Sequence, residues 1–279
     1  MANPTTSDLE PASQSTDGGA AADPRVDVSA PGFRGLPFLA PLYGPGPYDY
    51  TNGMVAMVNY TVTRESLLEV LPRELEPLGE PTVSMTFFIW PECTGMGPHN
   101  FSMPVIPVVY GKGTSAEMNG SWVPYLYTST DASLACYREV QGWPAVLADV
   151  QMTFARHGNT NTIRAKVSRG GRTVIAAEAQ VGGEPFDNTG GPGLPIILYK
   201  EIPSLDTTGT DVATYITSMS KFTRVNWQAG EGAISFPDPG PNDPISRLVP
   251  QQYLGTIAGT LDDHYPESIR VLDPVPAQS

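Results

Sequence analysis

The sequence predicts a β-rich α+β domain. Short runs with β-branched and aromatic content recur along the chain, helical spacing appears only in brief segments between them, and Gly170-Gly171 joins two such runs as a tight hairpin. Strands, one short helix and then more strands is not the regular alternation of a doubly wound sheet. With 279 residues, 40% hydrophobic and 16% charged, the chain can build a sizeable core in one large domain or two small ones.

The first stretch, residues 1–30, is mostly Ser, Thr, Ala, Gly, Asp and Pro. It lacks the apolar area to offset its ordering entropy, which predicts a disordered tail before a single folded domain over 31–273. From Pro31 to Tyr50, Pro, Gly and aromatics suggest an irregular arm. Met54 to Val62 reads as a strand, and Arg64 to Leu71 as a helix capped by Thr63, stopped by Pro72, with Leu67, Leu68 and Leu71 on one face. Thr82 to Trp90 is a strand with Val83, Met85, Phe87 and Ile89 on one side, followed by strands at Pro104 to Tyr110 and Trp122 to Thr128.

Asp131 to Val140 has helical spacing and runs into a turn set by Gly142 and Pro144. Strands follow at Asp149 to Arg156, Thr162 to Val167, Arg172 to Val181, Ile196 to Ile202, Asp211 to Ser218 and Gly232 to Phe236. Pro185 to Gly193 is a loop, either a lid or plain surface. A weak helix is expected from Ile245 to about Leu254, with a frayed tail after Pro274.

A net charge of -13 argues against nucleic acid and against anionic membrane surfaces, both of which need Lys and Arg. Cys93 and Cys136 are too few for a disulfide scaffold and read as buried thiols. No run of about 18 apolar residues and no secretory start is evident, so the expected address is cytoplasmic. Walker, Gly-x-Ser-x-Gly and dinucleotide-binding patterns are absent, no histidine pair stands at metal-binding spacing, and neither metal nor cofactor is expected. Asp262-Asp263-His264 reads as a solvated helix end or turn.

The stretch Tyr137-Arg138-Glu139-Val140-Gln141-Gly142-Trp143-Pro144-Ala145-Val146 resembles the signature of the acetoacetate decarboxylase family, in which Arg-Glu, a spacer, an aromatic and Pro lead into two adjacent lysines. Tyr48-Asp49-Tyr50, Thr94-Gly95-Met96-Gly97, Ile106-Pro107-Val108, Tyr127 and Ile197 to Pro203 extend the resemblance over about Pro45 to Val271. It implies a curved mixed sheet or cone-like barrel with helices outside, a small-molecule cavity, and a homo-oligomer.

That family activates one lysine by a neighbouring cation so that the amine condenses with a ketone. Here the lysine positions hold Ala145 and Val146, and neither forms an imine. By the same resemblance, the family's carboxylate-binding arginine falls at Gly53, and its pocket glutamates fall at Phe101 and Thr86. Joint loss of the charges implies a drier pocket for a small hydrophobic carbonyl compound.

The remaining candidate catalytic groups are Glu139, Tyr127, Thr86, His99 and Glu92, with Gly53, Phe101, Trp143, Ala145, Val146 and Arg138 as candidate substrate contacts. A desolvated Glu139 is a candidate acid or base, with Tyr127 or Thr86 polarising a carbonyl. The alternatives are that Glu139 pairs with Arg138 or another cation to fix the turn and that His99 is a turn residue. Three functions follow: a cofactor-independent lyase, dehydratase or cyclase without a lysine imine; a non-catalytic binding protein; or a decarboxylase or aldolase using a displaced lysine among Lys112, Lys166, Lys200 and Lys221.

Overall fold

The computed structural model describes residues 40–186, 193–241 and 243–275. The expected N-terminal tail and the centre of the expected lid loop lie outside these residues. In chain order the strands are β1 (Tyr48–Thr61), β2 (Leu75–Pro77), β3 (Thr82–Trp90), β4 (Glu92–Cys93), β5 (His99–Tyr110), β6 (Met118–Trp122) and β7 (Leu126–Thr128). They continue with β8 (Ala145–Leu147), β9 (Asp149–His157), β10 (Thr160–Arg169), β11 (Arg172–Phe186), β12 (Ile196–Pro203), β13 (Thr210–Ser235) and β14 (Gln252–Val271). Two short helices, α1 (Arg64–Leu68) and α2 (Asp131–Cys136), interrupt them.

Fourteen strands form one mixed sheet, with the order β12-β6-β5-β3-β1-β14-β13-β11-β10-β9 along its main path. Pairing of β12 with β13 returns the path on itself, so seven strands make a closed circuit of hydrogen-bonded neighbours. The expected β-rich curved sheet is present. Its helical share is slight, because α1 ends a turn before Leu71 and leaves Leu68 exposed. Thr63 accepts from the Ser66 amide and caps α1, satisfying one orphan N–H of its first turn.

Two regions differ from the sequence reading. The segment expected to be a helix from Ile245 to Leu254 is a 3₁₀ turn at Pro244–Arg247 followed by the start of β14. Asp262, Asp263 and His264 lie inside that strand, where alternation sends Asp263 to one face and its neighbours to the other. The pieces expected at Asp211 to Ser218 and Gly232 to Phe236 belong mostly to one long bent strand, β13. Register shifts between Met219 and Lys221 and between Val225 and Gln228 bend it, and such bulges break the period-two pattern that would have revealed it.

Period-two alternation sends the two faces of the circuit into two cores. Val83, Met85 and Phe87 of β3 and Ile106, Val108 and Tyr110 of β5 enter one, a mainly aliphatic cluster. Phe88 and Trp90 of β3 and Phe101 and Met103 of β5 enter the other, which is rich in aromatics. In β1 the parity changes partway. Tyr48 and Tyr50 face the aromatic cluster, but beyond a bulge between Tyr50 and Gly53 it is Val55 that does so, while Ala56 and Val58 face the aliphatic one. Asn52, at φ 56°, supplies the left-handed backbone of the bulge.

Candidate active site

A cavity of about 90 Å³ opens within the aromatic cluster. Its walls include Tyr50, Phe88, Trp90, Phe101, Tyr137, Trp143 and Tyr265, while Leu194 and Phe222, both partly exposed, stand at its mouth. An apolar cavity of about 150 Å³ holds a benzene ring. This one suits a ligand of a few heavy atoms, or the end of a longer one.

The wall is completed by the turn that carries the signature residues. Thr130 caps α2 by accepting from the Ser133 amide, and the helix widens into one π turn over Tyr137–Gln141. Gly142 then reverses the chain at φ 73°. A Cβ there would lie 2.8 Å from Lys200 Cβ, so both conformation and space require glycine. Lys200 donates to the Val140 carbonyl at 3.0 Å and satisfies an acceptor left open at the end of the turn. Single-turn π bulges of this kind commonly occur where a helix serves a site. Here the turn places Tyr137 and Gln141 on the cavity wall.

Three polar side chains form a column behind and within that wall. His99 Nδ1 lies 2.9 Å from the Gly97 carbonyl, which only accepts, so this nitrogen carries the proton and donates. Nε2 then accepts from the Tyr137 hydroxyl at 2.8 Å. With its proton spent, Tyr137 accepts from the Tyr50 hydroxyl at 3.3 Å. Burial holds His99 below its usual 6.5, keeping the imidazole neutral, and holds both phenols well above their usual range. The column therefore has one direction, from Tyr50 to the basic nitrogen of His99.

A second chain runs from Trp143 Nε1 to the Tyr265 hydroxyl at 2.9 Å and on to Ser218 Oγ at 2.7 Å. Ser218 accepts that bond, so its own proton remains to be donated, and its side chain lines the cavity. Aromatic faces, the phenols of Tyr50, Tyr137 and Tyr265 and the Ser218 hydroxyl border the cavity, and Ser218 Oγ can donate to a carbonyl oxygen. Asp263 reaches the same wall from β14.

The sequence candidates divide on this geometry. Phe101 and Trp143 line the cavity, and His99 stands directly behind it, bonded to Tyr137. Tyr127 does not reach it. Strand alternation gives that face of β7 to Leu126, and the Tyr127 hydroxyl donates instead to Asp243 at 3.3 Å in the aliphatic core. Thr86 shares the face of Phe88 and Trp90 but lies deeper, fully buried, with its hydroxyl 3.4 Å from the Ser84 carbonyl.

Glu92 is exposed and accepts from Thr51 at 2.8 Å. Glu139 is also exposed, and its partner is the Tyr43 phenol at 2.5 Å rather than a cation. Among the described residues Arg138, likewise exposed, reaches only the Ala145 carbonyl, at 3.4 Å. Gly53 lies under Trp90, where a Cβ would sit 2.1 Å from Cζ3 of the indole, and it is not part of the described cavity wall. Ala145 is buried in the aromatic cluster, while Val146 packs on the aliphatic side, as neighbours on one strand must.

The sequence reading missed Tyr50, Tyr137, Gln141, Ser218 and Tyr265 as wall residues. Tyr50 and Tyr137 stood inside motifs already singled out, but a buried tyrosine has no local signature that separates packing from function. Among the described residues no group of three or more His, Cys, Asp or Glu is gathered to hold a metal ion, and no helix is long and apolar enough to cross a membrane.

A family model for acetoacetate decarboxylase (ADC) matches residues 36–265. The chain belongs to this family. Acetoacetate decarboxylase 3 of Mesorhizobium japonicum is 37% identical over 114 residues, which cover 41% of this chain and 42% of that protein. Acetoacetate decarboxylase of Paraburkholderia phytofirmans is 33% identical over 114 residues, covering 41% and 43%. The chain thus aligns with less than half the length of either curated relative.

Solved acetoacetate decarboxylase-type folds align far more completely. A structure from studies of acetoacetate decarboxylase superposes with a TM-score of 0.73 at 20% identity, covering 85% of this chain and 94% of that one. The enduracididine biosynthesis enzyme MppR, complexed with the condensation product of pyruvate and imidazole 4-carboxaldehyde, gives 0.72 at 17%, covering 88% and 99%. An acetoacetate decarboxylase-like enzyme from Sphingomonas wittichii gives 0.72 at 14%, covering 87% and 99%. At these identities the likeness carries the fold alone. None of Lys112, Lys166, Lys200 and Lys221 belongs to the described cavity wall of this family member.

Proposed function

We propose that this chain is an acetoacetate decarboxylase-family enzyme that moves a proton at the carbon beside the carbonyl of a small apolar substrate, without forming a lysine imine. The observation that carries this reading is the directed column Tyr50–Tyr137–His99, which joins an aromatic cavity to a buried neutral imidazole. Proton removal beside a carbonyl is the step shared by the lyase, dehydratase and cyclase chemistries that the sequence left open.

The substrate C–H bond breaks and its proton passes to Tyr50 Oη, as the Tyr50 proton passes to Tyr137 and the Tyr137 proton to His99 Nε2. The electron pair left on carbon becomes an enolate, whose oxygen accepts from Ser218 Oγ–H. Return of the proton from His99 closes the cycle. Phenols held above their usual range are poor resting bases, so the imidazole at the end of the column is what accepts the charge. Stabilising the enolate oxygen by a preset donor in a dry site is a large catalytic contribution in such chemistry.

The test is exchange in deuterium oxide. Small ketones are incubated with the protein and their α-proton signals followed by proton NMR. Acceleration by the wild type that is lost in His99→Gln and in Tyr137→Phe supports the reading. Ketones that bind without exchange would assign the chain to the non-catalytic binding class instead. Borohydride treatment in the presence of the same ketones discriminates the third class: a lysine adduct seen by mass spectrometry would overturn the imine-free mechanism.

A further inference from the structure

Besides the Asp263 carboxylate and the Ser220 hydroxyl, two polar atoms of the cavity wall lie outside the proton column and the Trp143–Tyr265–Ser218 chain. They are Gln141 Oε1 and Trp90 Nε1, each buried and each without a hydrogen-bond partner among the described residues. The two residues are 1% and 2% exposed and both line the cavity. An unmatched buried acceptor and an unmatched buried donor are each costly, and native proteins rarely keep them without a use. Here one of each borders the same small space.

The surroundings hold both groups in place. Gln141 ends the π turn, and its amide nitrogen donates to Cys136 Sγ at 3.6 Å. Burial pushes the Cys136 thiol up to about 11, so it keeps its proton. The sulfur therefore faces Gln141 as an acceptor, and this sets the amide nitrogen towards Cys136 and the oxygen away from it. Trp90 is seated by Gly53: a Cβ there would meet Cζ3, Cε3 and Cη2, so the six-membered ring lies over β1 and the edge bearing Nε1 is turned from it.

We propose that Gln141 and Trp90 are specificity-determining residues, an acceptor and a donor that together select a neutral hydroxy-carbonyl compound over a plain ketone. The ligand hydroxyl donates to Gln141 Oε1 and accepts from Trp90 Nε1–H, and the carbonyl is left to Ser218. The carbonyl part of this assignment rests on the proposed function; the hydroxyl part rests on the two unmatched atoms alone. A site with buried groups that a ligand hydroxyl satisfies discriminates strongly against the analogue lacking it, because the analogue leaves those groups unpaired.

The probes are 4-hydroxybutan-2-one and pentan-2-one, which differ by a hydroxyl in place of a methyl, and the readout is affinity by calorimetry or ligand-observed NMR. The hydroxyketone is expected to bind at least about tenfold more tightly to the wild type. Gln141→Leu and Trp90→Phe, which remove the acceptor and the donor respectively, should each remove most of that preference while thermal melting shows a folded protein. If one variant fails to fold, the other still decides. Equal affinity for the two ketones, no measurable hydroxyketone binding at millimolar concentration, or a preference unchanged in the folded variants would overturn the assignment. Failure of the proton-transfer reading shows separately, as bound ketone whose α-protons do not exchange.

Discussion

The two faces of β3 and β5 are made of different materials. On one, Val83, Met85, Ile106 and Val108 interlock as an aliphatic core. On the other, Phe88, Trp90, Phe101 and Met103 surround an opening. Branched aliphatic side chains fill space closely and leave no hydrogen-bonding groups to satisfy. Rigid rings with polar edges instead leave a gap whose rim is lined with Tyr and Trp donors. One set of strands thus supports a close-packed layer on one face and a hollow one on the other.

That difference is open to attack by substitution, beginning with the largest expected effect. Tyr137→Phe keeps the ring but cuts the column between Tyr50 and His99, and α-proton exchange should fall by about 10²-fold or more. The protein should stay folded by circular dichroism, which would locate the loss in chemistry rather than packing. Next, Ile106→Ala in the aliphatic layer should cost about 2–5 kcal/mol in urea unfolding. Met103→Ala on the cavity face should cost clearly less, since Met103 already borders empty space. Equal costs would erase the distinction between the layers.

A third effect is in pH. Burial holds the folded-state pKa of His99 below 6.5, so between 6.5 and that lowered value the unfolded chain binds a proton that the folded chain does not. The resulting stability is fully present above 6.5 and is lost as pH falls towards the folded value. Thermal melts from pH 7 downward should show this decline, and His99→Gln should flatten it. The aromatic neighbours Tyr50, Phe101 and Tyr137 pack against the ring and supply the desolvation.

The smallest effect is expected outside the cavity. Glu139→Gln weakens the bond from Tyr43 and should lower stability by about 1 kcal/mol, while leaving α-proton exchange unchanged. A collapse of exchange in this variant would return Glu139 to the catalytic set and place the chemistry elsewhere.

Much of this was legible in the chain, for local reasons. β3 carries its alternation openly, with Val83, Met85 and Phe87 on one side. The β10–β11 hairpin is announced by Gly170 and Gly171, both at positive φ. The bent strands were not legible: β14 holds Gly255, Gly259 and Pro266, residues that usually argue against a strand. Gly259 is tolerated because Trp227 packs where its Cβ would be, a contact across β13 and β14 that no local pattern contains. Glu139 and Arg138 looked functional because charge in a signature turn draws attention, yet the π turn presents Tyr137 and Gln141 to the cavity and leaves the charged pair outside.

What the sequence by itself determined was the type of strand and turn along most of the chain, and that Ala145 and Val146 follow Pro144. Both are properties of nearest neighbours or of residue identity. Which aromatics would enclose the cavity was decided only in three dimensions. The bulge at Asn52 changes the parity of β1, and the closing of β12 on β13 bends the strands round a common space. Tyr50, His99 and Tyr137 meet because three separate segments arrive at that space. Their hydrogen bonds depend on where each backbone points, and no residue carries that information alone.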